Sequence, residues 1–247
     1  MLNIAAYRFV DIDDAPDLSE RLSASAQAAG LKGTLLIAPE GLNLSLAGEP
    51  EAVRGWLGRL REDPRFAGLQ AKESFSDGMP FRRLRVKLKA EIIRMNQPSL
   101  RPAAARAPAV DAATLVRWLG QGHCDEGRPL ALLDTRNAFE VDAGAFDGAL
   151  DWRLGCFSDF PAAFDAHRSE LEGKTVVSYC TGGIRCEKAA LLMRERGLPH
   201  VLQLDGGILA YFEATTGAPH WRGECFVFDE RESLAPTLAP AAAIEAA

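Results

Sequence analysis

The 247-residue chain has few of the features that mark a secreted, membrane-bound or metal-organised protein. Its five cysteines, Cys124, Cys156, Cys180, Cys186 and Cys225, are too sparse for a disulfide scaffold, and none forms the C-x2-C pair of a zinc ribbon. The four histidines, His123, His167, His200 and His220, are scattered without H-x3-H spacing, so no metal site is expected. No run approaches the ~20 consecutive apolar residues that cross a membrane. Met1-Leu2-Asn3-Ile4 lacks the basic stretch that opens a leader, and a cytoplasmic protein is expected. The chain also lacks a glycine-rich dinucleotide fingerprint and a two-histidine, one-carboxylate iron set, so no cofactor is recognisable from the sequence.

Charge is present but unevenly divided. The net −6 conceals +3 over residues 1–106 (16 Lys and Arg against 13 Asp and Glu) and −9 over the remainder (12 against 21). With 47% hydrophobic residues, a chain of this length fills two ordinary cores more readily than one, and two domains are expected.

The most informative segment is Cys180-Thr181-Gly182-Gly183-Ile184-Arg185. It follows an apolar strand, Thr175–Tyr179, and precedes a helix from Cys186 in which Ala189, Ala190, Leu192 and Met193 recur at helical spacing. Gly182 and Gly183 can take positive φ, turning backbone N–H groups toward the sulfur at the positive end of the helix dipole. With Arg185 adding charge, such a setting lowers a thiol pKa from about 8.5 into the range of roughly 3.5 to 7.5, so Cys180 is expected to be largely thiolate at neutral pH. Cysteine-dependent phosphatases place their arginine at the sixth position after the nucleophile, where it wraps a tetrahedral phosphate. Here arginine is fifth and Cys186 is sixth, and the tighter ring better suits a sulfur or another small group.

Before this loop, the first hundred residues read as strand Asn3–Val10, helix Ala15–Ala29, strands Gly33–Ile37 and Leu44–Ala47, helix Pro50–Glu62, strand Gln70–Ser74 and a long strand Arg83–Ile93. That order predicts an α+β ferredoxin-like domain over residues 1–95. Residues 96–110 hold three prolines and read as a linker. From residue 111 to 232, a helix capped by Asp111 and strands at Leu130–Asp134, Thr175–Tyr179 and His200–Leu204 alternate with helices, the pattern of an α/β domain with a parallel sheet. Ligands of such sheets bind beyond the carboxyl ends of strands, where Cys180 falls. The Ala- and Pro-rich tail, 233–247, is expected to be flexible.

Between Phe81 and Arg106, eight basic residues (Arg82, Arg83, Arg85, Lys87, Lys89, Arg94, Arg101 and Arg106) stand against one acidic residue, Glu91. Strict alternation puts Arg83, Arg85, Lys87 and Lys89 on one strand face. Two readings remain open: a track for the phosphates of a nucleic acid, or an edge strand guarded by charge. No aromatic signature of base stacking accompanies these cations.

Other features are secondary. Asp134-Thr135-Arg136, with Glu140 downstream, sits at the end of another strand of the same sheet, as a loop-fixing salt bridge more readily than a substrate contact. Cys186 is either a partner that resolves an oxidised Cys180 or a buried helix residue. Ala38-Pro39-Glu40-Gly41-Leu42-Asn43 reads as a hairpin turn, and Asp205-Gly206-Gly207-Ile208 as a tight strand-to-helix turn near the active loop.

Together, Gly33 to Asn43, the basic strand, the string from Cys180 to Lys188 and Gly223-Glu224-Cys225-Phe226-Val227-Phe228-Asp229 resemble the rhodanese-domain tRNA uridine hydroxylases, the TrhO family. The resemblance spans about residues 1–232. It implies a rhodanese-like second domain and oxygen-dependent 5-hydroxylation of the wobble uridine of tRNA, with dioxygen as co-substrate and Cys180 as the essential residue. A sulfurtransferase working through a Cys180 persulfide is the alternative that the loop alone favours, and a non-enzymatic RNA-binding module is a third.

Overall fold

In the first half of the chain, Leu2, Ile4 and Ala6 alternate with Asn3, Ala5 and Tyr7, and the segment extends as β1 (Leu2–Phe9). Proline in its first turn and buried residues at Leu18, Leu22 and Ala26 then set α1 (Ala15–Ala28) against the sheet. β2 (Lys32–Ala38), β3 (Gly41–Gly48), α2 (Pro50–Glu62), β4 (Ala71–Phe75) and β5 (Leu84–Leu88) follow. The strand order is β4-β1-β3-β2-β5, antiparallel except where β5 runs parallel to β2. Leu35, Ile37, Leu42, Leu44 and Leu46 share one core with Leu18 and Leu22 of α1 and with Val53, Trp56, Leu57 and Leu60 of α2. This is the ferredoxin-like arrangement the sequence predicts.

The basic strand is shorter than expected. It ends at Leu88 instead of Ile93, because the backbone N–H of Ile92 turns away to donate to Glu40 Oε1 (2.8 Å) and its carbonyl accepts from Asn43 Nδ2 (3.4 Å). The 38–43 hairpin turn therefore also anchors the segment after β5. Its glycine is obligatory: Gly41 has φ +149°, and a Cβ there would lie 2.1 Å from the Arg8 carbonyl oxygen.

The structure, a computed structural model, describes residues 1–239. It divides the chain into two units: Met1–Arg94 with Arg101–Ala103, and Met95–Leu100 with the residues from Ala104 onward. The expected linker is not free throughout. Ala109–Val110 form β6, fixed by N–H groups of Gln203 and Asp205 that donate to the Pro108 and Val110 carbonyls.

In the second unit, α3 (Ala112–Gln121) starts with Asp111 accepting from the Thr114 N–H at 2.8 Å and stops at Gly122 in the left-handed region. Then come β7 (Leu130–Asp134), α4 (Ala138–Ala143), β8 (Gly144–Phe146), β9 (Leu150–Asp151), α5 (Phe160–His167), β10 (Thr175–Tyr179), α6 (Ile184–Glu195), β11 (Val201–Leu204) and α7 (Gly207–Ala214). The main sheet, β6-β11-β10-β7-β9, is parallel throughout. Central β10 is buried at all five positions, as a strand covered on both faces must be. β12 (Trp221–Gly223) pairs with β8, and β13 (Cys225–Phe226) with β14 (Ser233–Leu234). The tail expected to be flexible from residue 233 thus begins as a strand with Leu234 buried; residues 240–247 lie outside the described residues. No helix among the described residues is long and apolar enough to cross a membrane.

Candidate active site

Parallel β10 ends at Tyr179, so the chain must turn there to enter α6, and Cys180 is the first residue past the strand. Its thiol is fully buried, and the Gly183 N–H donates to Sγ at 3.1 Å. Gly183 caps α6 with φ +97°, a conformation that aims this N–H inward. Gly182 was expected to share that conformation, but it is not among the residues with positive φ; one left-handed residue suffices for the turn. Thr181, Gly182 and Ile184 are partly exposed and form the outer rim of the loop.

A second helix supports the loop from below. The N–H groups of Ile208 and Leu209, in the first turn of α7, donate to the carbonyls of Cys180 (3.0 Å) and Thr181 (3.1 Å). A Cβ on Gly207 would lie 2.4 Å from the Cys180 carbonyl oxygen and 2.7 Å from the Gly183 nitrogen, so α7 can approach this closely only with glycine there. The tight turn read at 205–208 is part of the loop's foundation.

Burial by itself pushes the Cys180 thiol up. A hydrogen bond from Cys186, the positive charge of Arg185 and the backbone N–H groups of Arg185 and Cys186 outweigh it and bring the thiol down to about 6. Cys186 moves the other way: burial and the adjacent Cys180 hold it protonated, well above the ordinary thiol range. It also lies 3.6 Å from Thr135 Oγ1, which donates to the Tyr179 carbonyl. The pair therefore holds one negative charge, on Cys180, with Cys186 as donor.

Arg185 does more than face the sulfur. Its guanidinium grips Glu140 in a two-pronged pair at 2.6 and 2.7 Å, with both side chains buried. Burial alone would disfavour its charge, but the Glu140 bonds and the negative Cys180 reverse that and keep it firmly protonated. Glu140 is placed by its position in α4, where it also accepts the Asn137 N–H at 3.1 Å and, more weakly, the Thr181 hydroxyl at 3.5 Å. In the sequence Glu140 stands out only as the carboxylate downstream of Asp134-Thr135-Arg136. The available signal was its place three residues after Asn137, where a helix-opening glutamate belongs.

Asp134 and Arg136 form a second buried pair. Arg136 donates to Asp134 at 2.6 and 2.9 Å and to the carbonyls of Glu140 and Gly144, with neither side chain exposed. Its donors are spent on the protein, which makes it a brace between β7, α4 and β8. Thr135 and Cys225 lie in the motifs quoted above but are not among the site residues that the sequence suggests. Cys225 is buried in β13, where its thiol faces the Phe226 carbonyl at 3.8 Å, and burial pushes it up to about 12.

In the first unit, Arg83, Arg85, Lys87 and Lys89 are all exposed, and Arg85 and Lys87 lie opposite Thr34 and Leu36 on edge strand β5. The longer basic track does not persist: Arg101 pairs with Asp11 (2.8 Å), and Arg106 with Glu187 (2.9 Å) and Asp205 (3.1 Å). Among the described residues, no three His, Cys, Asp or Glu side chains converge as ligands of a metal ion.

Residues 1–92 match the UPF0176 acylphosphatase like domain, and residues 112–214 the rhodanese-like domain. The chain is 65% identical to the tRNA uridine(34) hydroxylase of Variovorax paradoxus (strain S110) over 98% of its own length and 92% of the relative's. It is 60% identical to the protein of that name from Bordetella petrii, covering 99% of this chain and 96% of the relative. For the one from Bordetella avium the identity is 59%, over 97% of this chain and 99% of the relative.

Proposed function

The chain belongs to the tRNA uridine(34) hydroxylase family, and on that premise we propose that it converts the wobble uridine of tRNA to 5-hydroxyuridine with Cys180 as the reacting group. The observation that carries this reading is a buried thiol at the end of the central parallel strand, lowered to about 6 and held by a helix-terminal N–H. A thiolate is a strong nucleophile, and C6 of a pyrimidine is its electrophilic position. Forming a bond between Cys180 Sγ and C6 moves the ring's electron pair onto C5, which becomes the site that takes up oxygen. Loss of the C5 proton and cleavage of the sulfur–C6 bond then restore the ring and the thiolate. Oxidation of C5 removes two electrons. With dioxygen as oxidant the second oxygen atom leaves as water, which takes two protons and two electrons from an external reductant of the thiol class.

Within this scheme Cys186 donates to the thiolate, and Arg185, fixed by Glu140, keeps positive charge beside it. Arg83, Arg85, Lys87 and Lys89 supply the phosphate contacts, as exposed cations on an edge strand suit a polyanion. A tRNA substrate puts the reaction in the cytoplasm. Sulfur transfer through a persulfide is disfavoured because the family relatives carry the hydroxylase name.

The test is an anticodon stem-loop carrying 5-fluorouridine at the wobble position. Fluorine on C5 blocks the proton loss that releases the enzyme. The wild type should form a denaturation-resistant adduct and Cys180→Ser none. No adduct with either protein, while hydroxylation proceeds, would contradict attack at C6. Isotopically heavy dioxygen should appear in the product hydroxyl.

A further inference from the structure

Most large aromatic side chains of the second unit are core: Phe146 packs edge-on against Tyr179, Tyr211 and Trp221. Phe139 and Phe228 differ, with exposures of 48% and 62%, and partly buried Phe226 lies between them. Their rings form one cluster, with centroids 5.1 Å (139 to 226), 5.2 Å (226 to 228) and 6.3 Å (139 to 228) apart. Each pair is close to perpendicular, at 80° to 90°, so the rings meet edge to face and are not stacked in parallel.

The cluster is tied to the active loop by its own neighbours in sequence. Phe139 precedes Glu140, which holds Arg185 and accepts from Thr181. Phe226 follows Cys225, which is buried, and β13 adjoins α4, the helix that carries Glu140. Alternation along this segment turns Cys225 and Val227 inward and Phe226 and Phe228 outward. The segment is held firmly: Glu224 N–H donates to the Ala143 carbonyl, Val227 N–H to the Glu232 carbonyl, and the turn is closed by the nearly buried Asp229–Arg231 pair. Three rings on a fixed support cost folding free energy when left in water, and an exposed apolar patch next to an active loop marks a contact surface.

We propose that Phe139, Phe226 and Phe228 are a stacking platform for unpaired bases of the tRNA anticodon loop flanking the uridine being oxidised, an inference that rests on the hydroxylase reading above. Three observations select bases as the occupant. A three-ring patch is far smaller than the surface a stable protein interface buries, about 800 Å² per partner, but matches two or three bases. Residues 107–247 carry a net charge of −9, so RNA held beside this loop needs contacts that do not depend on cations. Chemistry on a base further requires it to leave its neighbours, and aromatic faces stabilise the bases so displaced.

The test uses the full chain and an anticodon stem-loop carrying 2-aminopurine next to the wobble uridine. Wild-type protein should bind it with a change in 2-aminopurine fluorescence. Phe139→Leu/Phe228→Leu keeps apolar volume but removes the rings; it should bind about ten-fold more weakly, lose the fluorescence change and keep its melting temperature and salt dependence. Phe228→Trp should bind like wild type. Leucine variants that bind and report as wild type overturn the platform, as does wild-type protein that makes 5-hydroxyuridine without any fluorescence change. Leucine variants that lose self-association in sedimentation while binding RNA normally assign the patch to a second copy of the chain and also overturn it. Undiminished hydroxylation by Cys180→Ser would instead defeat the catalytic reading and leave the stacking result to be judged by binding alone.

Discussion

Around Cys180 the charges are buried and matched, Arg136 by Asp134 and Arg185 by Glu140, whereas along β5 Arg85 and Lys87 stand in water with no carboxylate paired to them among the described residues. The two regions use charge for different ends. A buried pair fixes geometry, and its cost becomes visible only when one partner is removed. An exposed cation adds little to stability but remains free to neutralise a phosphate. In the function proposed above, the loop draws on where its groups are held, and the edge strand on cations that no carboxylate has taken.

The contrast can be broken most severely at Glu140. Glu140→Gln leaves buried Arg185 with the Cys180 thiolate as its remaining counter-charge and without its two-pronged carboxylate partner, and should cost about 3 kcal/mol in denaturant unfolding; a loss below about 1 kcal/mol would mean that the pair is not what holds the loop. Next is the pH dependence of stability. Cys180 is lowered to about 6 in the folded protein, against about 8.5 when unfolded, so the unfolded chain binds more protons between those values. The stabilisation is complete above about pH 8.5 and lost as pH falls through 6, with an upper limit of about 3 kcal/mol. Wild type should thus gain stability from pH 6 to 8.5 relative to Cys180→Ser; parallel curves would show that Cys180 is not held as a thiolate.

A sharper comparison lies within the loop itself. Gly207→Ala places a methyl 2.4 Å from the Cys180 carbonyl oxygen at φ +66° and should cost about 2 kcal/mol, together with most of the activity. Gly182→Ala meets nothing within 4 Å and should change stability by less than about 0.5 kcal/mol. Equal effects would contradict the packing of α7 against the loop. The mildest change is Arg85→Gln/Lys87→Gln, which should leave melting unaltered and lower the salt slope of tRNA binding by nearly two charges. An unaltered slope would leave the edge strand as a charge guard only.

How far the sequence discloses each region follows from the range of the interactions involved. Periodicity and turn residues are local, so β1, α1, α2, β10 and the α6 turn were all legible, as was the placement of Cys180 at a strand end. Strand alternation likewise put Arg85 and Lys87 on one face. The grip of Glu140 on Arg185 joins positions 45 apart, and the passage of α7 beneath Cys180 depends on one glycine whose reason is a contact with another segment. No local pattern encodes either. For the same reason the basic run read longer than it is, since the capture of Ile92 by Glu40 and the pairing of Arg101 with Asp11 are tertiary events. The exposed rings of Phe139 and Phe228 belong to distant segments, and neither alone suggests a stacking surface.

The most direct measurement is nucleoside mass spectrometry of tRNA from a bacterial host that lacks its own uridine hydroxylase and expresses either this chain or Cys180→Ser. The account predicts 5-hydroxyuridine with the wild-type chain and none with the serine variant. Equal amounts with both proteins, or none with either while thiosulfate is consumed, would contradict it.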